Sequence, residues 1–501
     1  MSYPQGPGAL SRAPSRSRRA VLALAGRALL TAPLVGLLAA CGQGAAVPST
    51  VASSGAAKTS AASSAQAPAA SSAATSAAAT GPTAAPTVPT QRVAGQSGTL
   101  IRWQNRNNDA YRVAAQKLFE TDYLAKHPGV RVQIESAPPD RDTKLLAGFA
   151  AGDAPDVFES WTDNVTQFAD KGAVLDITPL VARDKVDVSD FHAWQWHDFQ
   201  LPSGIRFGFP KYVNVMLLWY NKDMFQQKGV AFPTKDWTHD DYANAAEKLT
   251  VRQGNQLQTI GLRLRMSSWD RYWYRVEMWG GNVVDPNDNT KCLLDGQAAQ
   301  DAFDWAYKLE YERKIALDND TLGGLATVQG DRFAAGQWAM NEDGLYPASM
   351  ATNIDTKFKW GYAHVPKGPV KRRVLGTTDG FVLWKDSKHQ AEAWQVMQYL
   401  AGPEIQTMQV EVAGSMPVRV SVMNKWKDIN IKQNPTLADV NLETAIEAMQ
   451  EGYPGNRQLF KNDSKAGDLI KPALSDIFGN GKKQPSAFRE LAGQVTAGQH
   501  S

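Results

Sequence analysis

From Thr99 onward the chain alternates strand and helix signals, and this alternation restricts it to an α/β architecture with a largely parallel sheet. Thr99-Leu100-Ile101-Arg102-Trp103 predicts a short strand. Ala110 to His127 carries Tyr111, Ala114, Ala115, Leu118, Phe119 and Tyr123 at helical spacing, and Pro128-Gly129 stops it. Val130-Arg131-Val132-Gln133-Ile134 alternates apolar and polar residues, as a half-buried strand does. A helix over Lys144 to Ala151 ends at Gly152, and Pro155-Asp156-Val157-Phe158 opens the next strand. The pattern returns downstream. Val213 to Tyr220 is nearly all apolar, which predicts a strand buried on both faces. Asp236 to Asp241 has the capping chemistry of a helix start and runs into Tyr242 to Leu249. Ala298 to Arg313 and Lys388 to Leu400 predict two more helices. Two α/β lobes are expected. Ligands of open α/β sheets sit beyond the carboxyl ends of the strands, so the cleft between the lobes is the expected site.

The residues before this folded part have a different character. Arg12, Arg16, Arg18 and Arg19 precede an apolar run from Ala20 to Ala40 that Arg27 and Pro33 interrupt. A basic flank, an apolar stretch and a small-residue end predict an export signal over residues 1–40 rather than a spanning helix. Ser17-Arg18-Arg19-Ala20-Val21-Leu22 resembles a twin-arginine signal. Leu38-Ala39-Ala40-Cys41-Gly42 resembles a lipobox, in which Cys41 is acylated and becomes the new N-terminus. Residues 41–97 are almost entirely Ala, Ser, Thr, Pro and Gly. Such a segment cannot bury enough apolar surface to offset its ordering entropy, so a flexible stalk is expected between lipid and domain. The expected location is outside the cell, on the outer face of the cytoplasmic membrane.

The formal charge of +3 is set by the leader. Five of the 53 basic residues precede Cys41 and no acidic residue does, which leaves 48 against 50, a formal −2. A near-neutral exported domain gives no support for nucleic-acid binding. With Cys41 acylated, Cys292 has no partner, so stability must come from a core. The seven histidines are scattered, and no H-E-x-x-H, G-x-S-x-G or P-loop occurs, so no catalytic site, metal site or cofactor is expected. Asp285-Pro286-Asn287-Asp288-Asn289 starts like a calcium loop but lacks the sixth-position glycine and the closing glutamate; a polar turn is expected.

One stretch has a distinctive pattern: Gly208-Phe209-Pro210-Lys211-Tyr212, then Met216-Leu217-Leu218-Trp219-Tyr220-Asn221-Lys222-Asp223-Met224-Phe225, Lys228-Gly229-Val230, Pro233 and Asp236-Trp237. It resembles extracellular solute-binding protein family 1, the group that includes maltodextrin- and glycerol-phosphate-binding proteins. In that family the run crosses from the first lobe into the second. Other segments match in order: Gly152 to Val157, Phe168 to Gly172, Phe333 to Met340 with Asp343-Gly344, Val365 to Pro369, Gly376 to Gly380, and Gly414 to Arg419. The resemblance covers nearly everything after residue 97. It implies a two-lobed periplasmic-binding-protein-like fold of type II, with the ligand cleft between lobes joined by a hinge. Lobe 1 is expected over about 98–213 and 376–425, and lobe 2 over about 214–375 and 426–501. The implied function is a monomeric substrate-binding lipoprotein of an ABC importer that hands a carbohydrate to a membrane permease. A glycerol-phosphate-type or sugar-acid ligand is the first alternative, and a non-transport surface lipoprotein or exported glycoside-active enzyme is the second.

Fifteen tryptophans are present, and aromatic faces suit the apolar C–H patches of sugar rings. Trp161 and Asp163 follow the third strand, at its carboxyl end, and are expected to face the cleft. Trp103, Asn105 and Arg106 hold the same place after the first strand. Tyr212 and Asn214 lie where the resemblance puts the lobe crossing. Trp269 and Trp273, spaced i and i+4, are expected on one helical face, with Asn282 in the turn that follows. By the family pattern, Tyr346 is a stacking aromatic, and Gly376, Asp379 and Arg419 are loop candidates; Arg419 alternatively braces the hinge.

Overall fold

A computed structural model describes residues 98–500, apart from 202, 255 and 319–330. The export signal, Cys41 and the stalk lie outside the described residues, as does the side chain of Asp163. The strands are β1 (Thr99–Asn105), β2 (Val130–Ser136), β3 (Val157–Trp161), β4 (Gly208–Val215) and β5 (Leu217–Asn221). They continue with β6 (Val251–Gln253), β7 (Gln256–Arg263), β8 (Val284–Asp285), β9 (Asp288–Cys292) and β10 (Ala316–Leu317). The last five are β11 (Trp338–Asp343), β12 (Trp360–Ala363), β13 (Val374–Leu383), β14 (Met416–Pro417) and β15 (Pro454–Gly455).

Two sheets make two lobes. The first runs β14-β4-β13-β3-β1-β2, with β15 against the start of β13. The second runs β10-β7-β11-β5-β12, with β6 against β7. The chain changes sheets between Val215 and Leu217, where one apolar run supplies both β4 and β5 and turns at Met216. The continuous strand expected over Val213 to Tyr220 is therefore two strands in two sheets. In both lobes the parallel strands point their carboxyl ends toward the other lobe's side of this crossing. Asn105, Ser136 and Trp161 end β1, β2 and β3, while Arg263 and Asp343 end β7 and β11.

Local chemistry sets the helix boundaries. The helix His239–Leu249 opens on a capping box: Thr238 accepts the Asp241 N–H, and Asp241 accepts the Thr238 N–H at 2.9 Å. The helix that begins at Asp109 relaxes into a π-turn over Phe119–Tyr123 before it ends. The first lobe's core centres on Trp103, which meets Tyr111, Phe119 and Phe381 edge-on at 6.4, 5.9 and 6.1 Å. Trp103 is therefore fully buried and is not a cleft residue. Asp285 to Asp288 forms the turn of the β8–β9 hairpin, the polar turn expected there.

Candidate functional site

Three adjacent strands of the first sheet place one row of side chains at the cleft edge. Asp379 of β13 pairs with Trp161 of β3 on one side and Tyr212 of β4 on the other. A β-bulge at this row makes Lys211 the extra residue of β4, since Asp379 pairs with Tyr212 while Gly380 pairs with Pro210. The bulge sends Lys211 inward. Its ammonium is fully buried and meets the equally buried Glu159 at 2.6 Å. Glu159 also accepts Asn105 Nδ2 at 2.8 Å and the Arg106 N–H at 2.9 Å. This carboxylate thus pins the loop after β1.

That loop delivers Arg106 to the row. The guanidinium lies 4.3 Å from the centre of the Trp161 ring and donates from Nη1 to both Asp379 oxygens at 3.1 Å. Burial pushes the Asp379 carboxyl up, against the pull of Arg106 and Lys211. Trp161 remains 47% exposed. Burial raises the Tyr212 phenol well above its ordinary value, so it stays a neutral hydroxyl over the physiological range.

The second lobe supplies the facing group. Tyr346 follows β11, is 48% exposed and has its hydroxyl 2.8 Å from Asn214 Nδ2. Tyr212, Asn214 and Tyr346 line one cavity of about 160 Å³, together with Asn107, Ser349 and the Ala413–Met416 segment. No lining residue is acidic or basic. Of the nearby arginines, Arg106 has a carboxylate of its own, while Arg263, Arg265 and Arg271 share one. Arg106 faces Asp379, and Asp343 receives Arg271 at 3.0 Å and Arg265 at 3.2 Å. Those arginines outweigh the burial that would raise Asp343, and hold its carboxyl below the usual range.

The other expected site residues lie elsewhere. Trp269 precedes the helix Tyr272–Met278, so the two tryptophans do not share a helical face. Trp269 is half-buried beneath Arg457 at 4.2 Å and Lys471 at 5.3 Å. Arg457 borders a second hollow of about 380 Å³, lined also by His197, Asp198 and Asn456. Trp273 is 2% exposed in the second lobe's core, with its indole N–H donated to the Asp270 carbonyl at 2.7 Å. Asn282 is half-buried in the turn before β8 and outside the cavity lining. At Gly376 a Cβ would stand 2.4 Å from the Trp194 ring, so this position serves close packing. Arg419 donates to the Ala401 carbonyl at 2.8 Å, approaches Asp190 at 3.7 Å and covers the Phe191 ring at 4.3 Å. Every one of those partners lies within the first lobe's ranges, and Arg419 is outside the cavity lining. Asn107, Ser349 and Ser415 line the cavity without having been expected. The motif around Gly414 marked the loop that carries Ser415.

The family described as bacterial extracellular solute-binding protein matches residues 108–407. The chain belongs to this family. A binding protein of Brucella abortus is 25% identical over 331 residues, 65% of this chain and 76% of that one. Among solved structures, an ABC substrate-binding protein of Listeria monocytogenes in complex with cycloalternan superposes with a TM-score of 0.65 at 21% identity. It covers 80% of this chain and 99% of its own. The sugar-binding protein MalE of Xanthomonas citri superposes with a TM-score of 0.63 at 20% identity, over 80% and 98% of the two chains. The likeness is one of fold, a two-lobed α/β binding protein.

Proposed function

We propose that the protein captures a neutral carbohydrate between its lobes and delivers it to an ABC permease, tethered outside the cytoplasmic membrane through lipid on Cys41. The observation that carries the reading is the pair of half-exposed aromatic rings, Trp161 on one lobe and Tyr346 on the other. Tyr346 lines a polar, uncharged cavity with Tyr212 and Asn214, and Trp161 stands in the same cross-strand row as Tyr212. Aromatic faces take the C–H patches of a pyranose, while a hydroxyl such as that of Tyr212 takes its rim. A phosphate or sugar acid would call for an unpaired cation. Arg106 is paired with Asp379 and the cavity lining carries no charged side chain, which favours a neutral solute over the anionic alternative. The relatives named above as binding cycloalternan or sugars agree with this class.

Residues 98–213 and 376–425 form lobe 1 in this proposal, residues 214–375 and 426–501 form lobe 2, and solute binding shifts the population toward a closed form. The test is a thermal-shift screen of mono- and oligosaccharides beside sugar acids and glycerol phosphates. Neutral saccharides should raise Tm and the anions should not. If no carbohydrate stabilises the protein at millimolar concentration, the ligand class is wrong. Cys41→Ala should release the exported protein from the membrane fraction, and retention there would overturn the tether.

A further inference from the structure

Asn214 lies at the end of β4 in the first sheet, two residues before the crossing residue Met216, yet both ends of its side chain are engaged by the second lobe. Oδ1 accepts the Leu345 N–H, and Nδ2 donates to the Tyr346 hydroxyl at 2.8 Å. A backbone N–H can only donate, so Leu345 fixes which end of the amide faces it, and the amino group is left for Tyr346. Asn214 is only 6% exposed, whereas Tyr346 is 48% exposed. The Tyr346 ring meets Trp219 edge-on at 6.3 Å, so its hydroxyl end and one edge are held while the rest borders the cavity. The chain passes this closely because residue 344 is glycine. A Cβ there would stand 2.3 Å from Asn214 Oδ1.

We infer that Asn214 is a positioning residue for solute capture: from β4 of the first sheet it fixes the orientation of the Tyr346 ring that follows β11 of the second sheet, and it does not itself hold the solute. The inference rests on the reading of the cavity as the solute site. A solute that bonded Asn214 would compete with two hydrogen bonds the amide already makes in a buried place. A solute stacked on Tyr346 gains from a ring that is already oriented, because less side-chain freedom is lost on binding.

The test combines Asn214→Ala, Tyr346→Phe and the double variant with maltotriose calorimetry, and adds 3-fluorotyrosine at position 346 read by fluorine NMR without ligand. Loss of the Asn214–Tyr346 hydrogen bond, common to both, predicts that each single variant weakens maltotriose binding by about three- to tenfold. The double variant should be no weaker than either single one. Asn214 donates to the phenol oxygen and so favours its phenolate, so the fluorotyrosine should titrate at higher pH in the Asn214→Ala background. Weakening by Asn214→Ala with Tyr346→Phe unaffected, additive losses, or an unmoved fluorotyrosine titration would each overturn the inference. If the parent protein does not bind maltotriose, the carbohydrate reading fails for that sugar, and the fluorine titration decides the inference alone. Should Asn214→Ala not fold, Asn214→Ser replaces it in both arms.

Discussion

Replacing two tryptophans separates the site from the core. Trp161 is 47% exposed and Trp273 is 2% exposed. A tryptophan side chain presents roughly 150–250 Å², so about 100 Å² of Trp161 is open to a solute. At about 25 cal/mol per Å² its coverage contributes at most about 2.5 kcal/mol. Some of that is offset by ordering the sugar, which leaves about 1.5–2.5 kcal/mol, or roughly 10- to 70-fold in Kd. Trp161→Ala should therefore weaken binding by that factor. Its cost in stability should be about 1 kcal/mol, because the half-exposed ring loses the Arg106 contact and little else. Trp273→Ala removes a fully packed ring and should cost about 3–5 kcal/mol, with Kd unchanged in the folded fraction. The assays are urea unfolding, read as a change of midpoint at constant slope, and calorimetry with the saccharide found by the screen. The reasoning fails if Trp161→Ala changes Kd by less than twofold, or if Trp273→Ala weakens binding while leaving the midpoint in place.

Lys211→Met leaves the buried Glu159 without its cation, and denaturant unfolding should register a loss of about 3–5 kcal/mol; a loss under 1 kcal/mol would mean the pair is not desolvated as drawn. Glu310 is buried and pushed up to about 9 by burial and by Asp318. Its folded pKa stands above the ordinary 4.5, so the folded state keeps a proton that the unfolded chain releases, and stability falls as pH rises between the two values. Glu310→Gln should remove that slope, about 1.4 kcal/mol per pH unit, and gain on the order of 4 kcal/mol at pH 8 relative to pH 5; parallel Tm-versus-pH curves for the two proteins would refute it. Gly344→Ala drives a methyl group into the Asn214 amide and should cost about 1–3 kcal/mol in unfolding free energy, with a weaker hold on Tyr346 visible in the same fluorine titration.

Local patterns were legible where a single element decides them. The Thr238–Asp241 capping box and the alternating strand at Val130 are examples, because each depends on a few adjacent residues and their own backbone. The run from Val213 to Tyr220 reads as one buried strand because an apolar stretch reports burial and not which sheet buries it. The turn at Met216 is a tertiary event, and only the partners β13 and β11 reveal it. Trp269 and Trp273 misled for a related reason. Spacing of i and i+4 places two residues on one face only if the helix has begun, and here it begins at Tyr272.

The site was legible at its ends and hidden in its middle. Trp161 and Tyr346 each close a strand with a recognisable pattern, so chain position alone pointed to them. What makes them one site is a set of contacts between segments far apart in the chain. Asp379 aligns Trp161 with Tyr212 through pairing on both sides of β13, and the bulge at Lys211 decides which side chains of β4 face the cleft. One residue of slip in that register would exchange Lys211 and Tyr212, moving a buried cation to the cleft and an aromatic hydroxyl into the core. Glu159 opposes that slip, since it must find an ammonium within reach and is fully buried when it does. The charge pair beneath the site is therefore better understood as the device that specifies the register than as a source of stability. A buried pair contributes little against an apolar replacement of both partners, yet costs heavily when one partner is lost. On that argument, replacing Lys211 and Glu159 together by apolar residues should recover much of the stability lost in Lys211→Met while leaving Tyr212 and Arg106 less sharply placed. Solute affinity would then fall even as Tm returns.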